Sequence, residues 1–195
     1  MIYYKEWIKT RWYLLLMFLA TNGFAGYSIL RLFRASELKG IAHIWEMALT
    51  RDSVFIEIPL QYIPIIACAG LALVQFIPEM HNKCLKLTLH LPYSPVKLLY
   101  SMIKFGLLAC VAVEIVNIAV LLLGIIPLFA HEIYWRIILT SLPWFLAGIA
   151  SYLLTSWVVL EPTWPRRIFN IVLSSLILRV YYLSSYPESY NSFLI

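Results

Sequence analysis

Five long apolar runs separated by short polar stretches set the pattern of this chain. An α-helix rises about 1.5 Å per residue, so about 20 apolar residues cross a hydrocarbon core about 30 Å thick. Each run is close to that length, which predicts an all-α, polytopic membrane protein with about five transmembrane helices in a single transmembrane domain over 1–195. The predicted spans are residues 12–33, 54–77, 105–129, 137–160 and 168–186.

Two segments outside these spans are amphipathic. In residues 1–11, MIYYKEWIKTR, aromatic and aliphatic residues alternate with charged ones, which predicts a helix lying in the membrane interface. In residues 34–53, apolar residues recur at helical spacing from Ile41 to Leu49. This second pattern predicts a short amphipathic helix across the outer surface.

The composition excludes a soluble domain and favours no catalytic class. Hydrophobic residues make up 62% of the 195 residues and charged residues 13%, whereas a soluble domain has about 25% charged residues. The motifs GxSxG, HExxH and GxxxxGK[ST] are all absent, so we predict no catalytic residue and no hydrolysis of ATP by this chain. The cysteines and histidines show no metal-ligand spacing, and we predict no metal site and no cofactor.

The distribution of Lys and Arg predicts the orientation in the membrane. With the N-terminus in the cytoplasm, nine of the 15 basic residues lie inside and six outside, in the direction of the positive-inside rule. The net charge of +5 is explained by these flanking residues, and we predict contacts with membrane lipids and none with nucleic acid.

The connection between the second and third predicted spans is unusual for a loop. Residues 79–96, EMHNKCLKLTLHLPYSPV, combine leucines with basic residues and end in two prolines. A plain connection needs only a few polar residues, and these leucines would be exposed to water. They therefore have to pack against the membrane, this protein or another protein.

This segment resembles the cytoplasmic loop between the second and third spans of type-2 ABC exporter permeases. The resemblance rests on an acidic residue closing the span (Glu79), a Leu-rich run (85–91), a Pro-containing turn (92–95) and a basic residue opening the next span (Lys97). The amphipathic N-terminus and the spacing of the spans are also similar. That family usually has six spans, and the apolar end NSFLI is either the start of a sixth span or a short tail.

The resemblance implies a transmembrane permease subunit in the bacterial inner membrane that moves an unidentified substrate, as an exporter. The loop would be a coupling helix that docks in a groove of a separate cytoplasmic ATPase, and a second copy or a related permease would complete the transporter. A short helix with an apolar face suits such a groove. The residues that would couple to the ATPase are Glu79, Lys83, Leu85, Lys86, Leu87, Leu89, His90 and Pro92.

Four polar residues at membrane depth are candidates for a role inside the bilayer: Glu57, Glu114, Asn117 and Arg179. Ionisable groups at such positions are expensive and commonly functional. Glu114 and Arg179 lie at nearly matching depths, which favours a structural ion pair. The alternative is a polar patch on a transport path.

Two other functions remain open from the sequence. A small accessory or assembly membrane protein would account for the short chain and the missing sixth span. An intramembrane enzyme of lipid metabolism would need acids, histidines or a nucleophile clustered at one depth, and the scattered polar residues do not favour it.

Overall fold

A computed structural model describes residues 2–50, 58–81, 95–183 and 190 of the chain. These residues form helices and no β-strand. In chain order the described helices are α1 (Ile2–Lys39), α2 (Ile41–Thr50), α3 (Ile58–His81), α4 (Pro95–Ile125), α5 (His131–Leu160) and α6 (Trp164–Val180).

Four of these helices, α1, α3, α4 and α5, are long and apolar enough to cross a membrane. The predicted all-α membrane fold is confirmed. The fifth predicted span, 168–186, corresponds to α6, which has 17 residues and is at the lower limit of the roughly 17–25 that cross a bilayer. Residues 184–186, at the end of that prediction, lie outside the described residues.

The N-terminal segment differs from the prediction. Residues 1–11 were expected as a separate interfacial helix, but α1 is one helix of 38 residues from Ile2 to Lys39. No proline or glycine precedes Gly23, so nothing in this part of the chain interrupts the helical hydrogen bonds. Helices α4 and α5 also begin before the predicted spans, because hydropathy marks only the apolar part of a helix.

Gly40 separates α1 from α2. It has φ +80, the left-handed conformation that commonly ends a helix, and its N–H donates to the Ser36 carbonyl at 3.0 Å. The short helix predicted within residues 34–53 is present as α2, whereas residues 34–39 continue α1 and residues 51–53 lie outside the described residues. Its Ile44 is buried, and Trp45 Nε1 donates to the Leu128 carbonyl beyond α4 at 3.0 Å.

The long helices form a bundle in which α3 packs against α5 and α1, and α4 packs against α1 and α5. The pairs α3–α5 and α1–α4 run parallel, and the pairs α1–α3 and α4–α5 run antiparallel. Lys9 near the start of α1 contacts Glu79 near the end of α3. Gln75 of α3 contacts Met102 in the first part of α4 and Tyr152 in the last part of α5. These contacts lie at one end of the bundle, which we call the N-terminal end. We call the opposite end the far end.

The apolar core is divided into two clusters. The cluster nearer the N-terminal end contains Met17, Ala67, Cys68, Leu71, Ala72, Phe76, Leu98, Met102, Cys110, Val113 and Tyr152. The cluster nearer the far end contains Ala25, Leu32, Ile44, Leu60, Leu121, Ile125, Leu128, Phe129, Ile137 and Phe145. Between them every long helix of the bundle carries buried residues that are polar or lack a large apolar side chain: Thr21, Pro64, Glu114, Asn117, Gly148 and Ser151.

Gly148 allows α3 and α5 to meet closely between the two clusters. A Cβ at this position would lie 2.9 Å from Pro64 Cβ and 3.1 Å from the Pro64 carbonyl carbon. Both contacts involve a rigid ring or the backbone, so the helices would have to move apart.

We therefore expect Gly148→Ala to lower the free energy of unfolding by about 1–3 kcal/mol, the usual effect of overpacking a core. Thermal or denaturant unfolding in detergent micelles measures this. Gly26→Ala is the matched control, because a Cβ at Gly26 meets nothing within 4 Å. Equal free energies of unfolding for the two variants would contradict the close contact with Pro64.

Candidate functional site

The segment predicted to couple to an ATPase, residues 79–96, begins in the last turn of α3 and ends in the first turn of α4. Its residues Lys83, Leu85, Lys86, Leu87, Leu89, His90 and Pro92 are outside the described residues, as is Glu57. The described helices on either side are α3, which ends at His81, and α4, which begins at Pro95. Glu79 is the member of the predicted set whose surroundings the structure describes.

Glu79 is buried in an ion cluster at the N-terminal end of the bundle. Its residue surface is 3% exposed, and its Oε1 lies 2.9 Å from Lys5 Nζ and 3.1 Å from Lys9 Nζ. The other oxygen, Oε2, is buried without a hydrogen-bond partner among the described residues. Two ammonium groups of α1 thus hold the last turns of α3 through a single carboxylate oxygen.

Lys9 is shared between two buried carboxylates. Besides Glu79, it contacts Glu6, one turn earlier on α1, with Nζ 3.1 Å from Oε2. Glu6 is fully buried, and its Oε2 also accepts from Gln75 Nε2 at 3.0 Å. Lys9 is 19% exposed and Lys5 48%, so Lys9 is the cation held within the protein.

Gln75 extends this ion cluster to α4 and α5. Its Nε2 also donates to the Met102 carbonyl at 2.8 Å, and its Oε1 accepts from Tyr152 OH at 2.8 Å. Gly106 makes room for this arrangement, because a Cβ there would collide with Tyr152 OH and Gln75 Oε1. We call Lys5, Glu6, Lys9, Gln75, Glu79 and Tyr152 the basal network.

The basal network is balanced in charge and joins four helices. Two ammonium groups face two carboxylates, which is the condition under which buried charges are tolerated. The charged groups join α1 to α3, and the Gln75 carboxamide joins α3 to α4 and α5. Separating any of these helices would therefore cost at least one buried hydrogen bond. The network fixes the position of the last turns of α3, and these lead directly into residue 82.

The second group of buried polar residues lies half-way along α4. Glu114 is 2% exposed and Asn117 is fully buried. Glu114 Oε1 accepts from the Cys68 thiol of α3 at 3.6 Å. In the part of the chain that the structure describes, no three His, Cys, Asp or Glu side chains form a metal-binding group.

The predicted ion pair of Glu114 with Arg179 is wrong. Arg179 lies on an exposed face of α6, whereas α6 buries Asn170 and Ser174 against the bundle. At 3.6 residues per turn, Arg179 is about 140° around the helix from Ser174. Matching depth along the membrane normal therefore did not bring the two charges together.

Sequence reasoning missed most of the basal network. Glu6, Gln75 and Tyr152 were not singled out, and Lys5 and Lys9 were interpreted only as flanking charges. A signal was present in α3, where Gln75 and Glu79 lie four residues apart and therefore share one face of an otherwise apolar helix. A second signal was Glu6 and Lys9, three apart at the start of α1.

Substitution of the two lysines separates their roles. Lys9→Met would leave the buried carboxylates of Glu6 and Glu79 without their shared cation, and breaking such a pair costs roughly 3–5 kcal/mol. Lys5→Met should cost less, because Lys5 is half exposed and Glu79 keeps Lys9. Unfolding of both variants in detergent, beside the exposed Lys97→Met, measures the difference. Equal stability of the Lys9 and Lys5 variants would contradict the shared-cation arrangement.

Tyr152→Phe tests the link to α5. Loss of the hydroxyl leaves Gln75 Oε1 buried without its donor, at an expected cost of about 1–3 kcal/mol. Tyr100→Phe is a suitable control, because Tyr100 lies on α4 at the same end and is 68% exposed. If the Tyr152 variant lowered the unfolding midpoint no more than the Tyr100 variant, the Tyr152 hydroxyl would not stabilise the basal network.

No family model, curated protein or solved structure matches this chain.

Proposed function

We propose that this chain is the non-catalytic transmembrane subunit of a transporter driven by a separate cytoplasmic ATPase. The observation that carries the proposal is the basal network, which anchors the end of α3 to three other helices at the point where the predicted coupling segment begins. A force applied to residues 82–94 would be delivered to a helix end that is fixed by buried charges. A bundle joined in this way can pass movement from one end to its spans.

The distribution of basic residues supports a cytoplasmic position for this end. The N-terminal end of the bundle gathers the start of α1, the end of α3, the start of α4, the end of α5 and the start of α6. Among the described residues it holds Lys5, Lys9, Arg11, Lys97, Lys104, Arg166 and Arg167, against Arg31, Arg34, Lys39, Arg136 and Arg179 at the far end. The excess follows the positive-inside rule, and the N-terminus is accordingly proposed to be cytoplasmic, in a bacterial inner membrane.

The composition of the coupling segment supports a protein partner. Leu85, Leu87 and Leu89 alternate with Lys86 and other polar residues, and apolar residues of a cytoplasmic segment need a surface to cover them. Type-2 ABC exporter permeases, which this segment resembles, use the loop to engage an ATPase. The proposed partners are that ATPase, a second copy of this chain or a related permease, and membrane lipids.

The double substitution Leu87→Asp and Leu89→Asp tests the proposal. If these leucines enter a groove of the ATPase, two unpaired charges would be buried there, which is expensive. We expect the ATPase to be lost when the variant is purified in detergent, while the helical content and unfolding midpoint stay unchanged. Mass spectrometry of the co-purified proteins, with ATP turnover of the preparation, provides the measurement.

Leu38→Asp is the control for introducing a charge on an exposed leucine, since Leu38 is 85% exposed at the far end of the bundle. This variant should retain the ATPase. The proposal fails if the wild-type chain co-purifies with no ATPase, or if the double variant keeps the ATPase with unchanged turnover.

A further inference from the structure

Glu114 and Asn117 form a buried polar group between the two apolar clusters. They follow Val113 of one cluster and precede Leu121 of the other on α4. Glu114 lies ten residues beyond Lys104, about 15 Å along the helix, which is near the middle of a hydrocarbon core about 30 Å thick. The two residues are three apart, so their side chains share one face of α4.

Three polar atoms of this pair are unpartnered. Glu114 Oε2 and both carboxamide atoms of Asn117, Oδ1 and Nδ2, are buried and have no hydrogen-bond partner among the described residues. Buried polar side chains are hydrogen-bonded in nearly all native proteins. One further small hydrogen-bonding group between the two side chains would resolve the deficit.

The surroundings offer no cation to an ionised Glu114. The titratable groups around it are the thiols of Cys68 on α3 and Cys110 on α4, with the Tyr182 hydroxyl beyond α6. No Lys, Arg or His pairs with Glu114 in residues 2–50, 58–81, 95–183 and 190. Lys5 and Lys9 pair with the carboxylates of the basal network instead.

A neutral carboxyl is the less costly state under these conditions. The side chain of a glutamate in water has a pKa near 4.3, so holding it protonated at pH 7 is disfavoured about 500-fold. Burying an unpaired carboxylate is disfavoured more strongly still, so such groups take up a proton instead.

We propose that Glu114 and Asn117 form a proton-binding site inside the bundle, in which the Glu114 carboxyl is protonated at neutral pH and is hydrogen-bonded through water to the Asn117 carboxamide. Oε2 carries the proton and donates to the water, which in turn reaches the carboxamide. The ligand is a proton with a water molecule, and no metal cation takes part. This site goes beyond the proposed transporter and does not depend on an ATPase.

Infrared spectroscopy of the purified chain at pH 7 tests the proposal, because the carbonyl stretch of a carboxylic acid is separate from the bands of a carboxylate. The difference between wild-type protein and Glu114→Gln should contain one acid carbonyl band. Glu132→Gln, at an exposed position of α5, should remove carboxylate bands instead. Carboxylate bands in the Glu114 difference spectrum would overturn the proposal.

The part played by Asn117 has its own readout. In Asn117→Leu the acid band should remain but move to higher frequency, because the hydrogen bond through water is lost. A merely structural Asn117 would leave the frequency unchanged, and that result would remove Asn117 from the site.

Dicyclohexylcarbodiimide provides a measurement on the wild-type chain that needs no variant, because this apolar reagent modifies protonated carboxyls. Peptide mass spectrometry should find that Glu114 is modified at least about tenfold faster than Glu79. A tenfold difference in the protonated fraction is the effect of a single pKa unit. Sodium or potassium ions should not slow the reaction. Protection by either ion would show a carboxylate holding a metal cation and would contradict the proton site.

Discussion

One ammonium group, that of Lys9, stabilises two buried carboxylates on two helices, and the N-terminal end of the bundle depends on it. Glu6 of α1 and Glu79 of α3 would repel each other without that cation between them. Gln75, which donates to Glu6, also donates to the Met102 carbonyl of α4 and accepts from the Tyr152 hydroxyl of α5. In a protein surrounded by lipid, where apolar surfaces gain little from meeting one another, such polar contacts determine how the helices associate.

The middle of the bundle is organised in another way. Its buried carboxyl meets a thiol and a carboxamide and has no described cation, whereas the basal network is balanced in charge. The same residue type therefore has two roles: Glu79 acts as a charged anchor at the end of a helix, and Glu114 acts as a neutral hydrogen-bonding group at mid-depth. Environment alone separates them, as it does for paired carboxylates in other proteins.

Much of the fold could be predicted from the sequence because hydropathy reports position along the membrane normal. The apolar runs located four helices of spanning length, and the periodic residues from Ile41 to Leu49 located α2. Rotation of each helix about its axis is not encoded in hydropathy. Glu114 and Arg179 matched in depth but not in direction, and the Lys9 contacts depended on α1 continuing straight through a segment expected to lie in the interface.

Of the basal network, only Glu79 was predicted from the sequence as a site residue. Glu79 was singled out because it closes a span before a Leu-rich segment, and the structure shows it to be buried and doubly ion-paired. Its partners come from residues about 70 positions away on α1, and no local pattern in either segment specifies that pairing. A network of this kind appears only when the helices are packed.

The coupling of residues 79–96 to an ATPase is the central functional claim, and photocrosslinking in living cells tests it most directly. A benzophenone side chain in place of Leu87, activated by light, should form an adduct with a cytoplasmic polypeptide that carries the phosphate-binding motif GxxxxGK[ST]. The same side chain in place of Leu38 should not. Adducts at position 87 confined to lipid or to this chain itself would contradict the account.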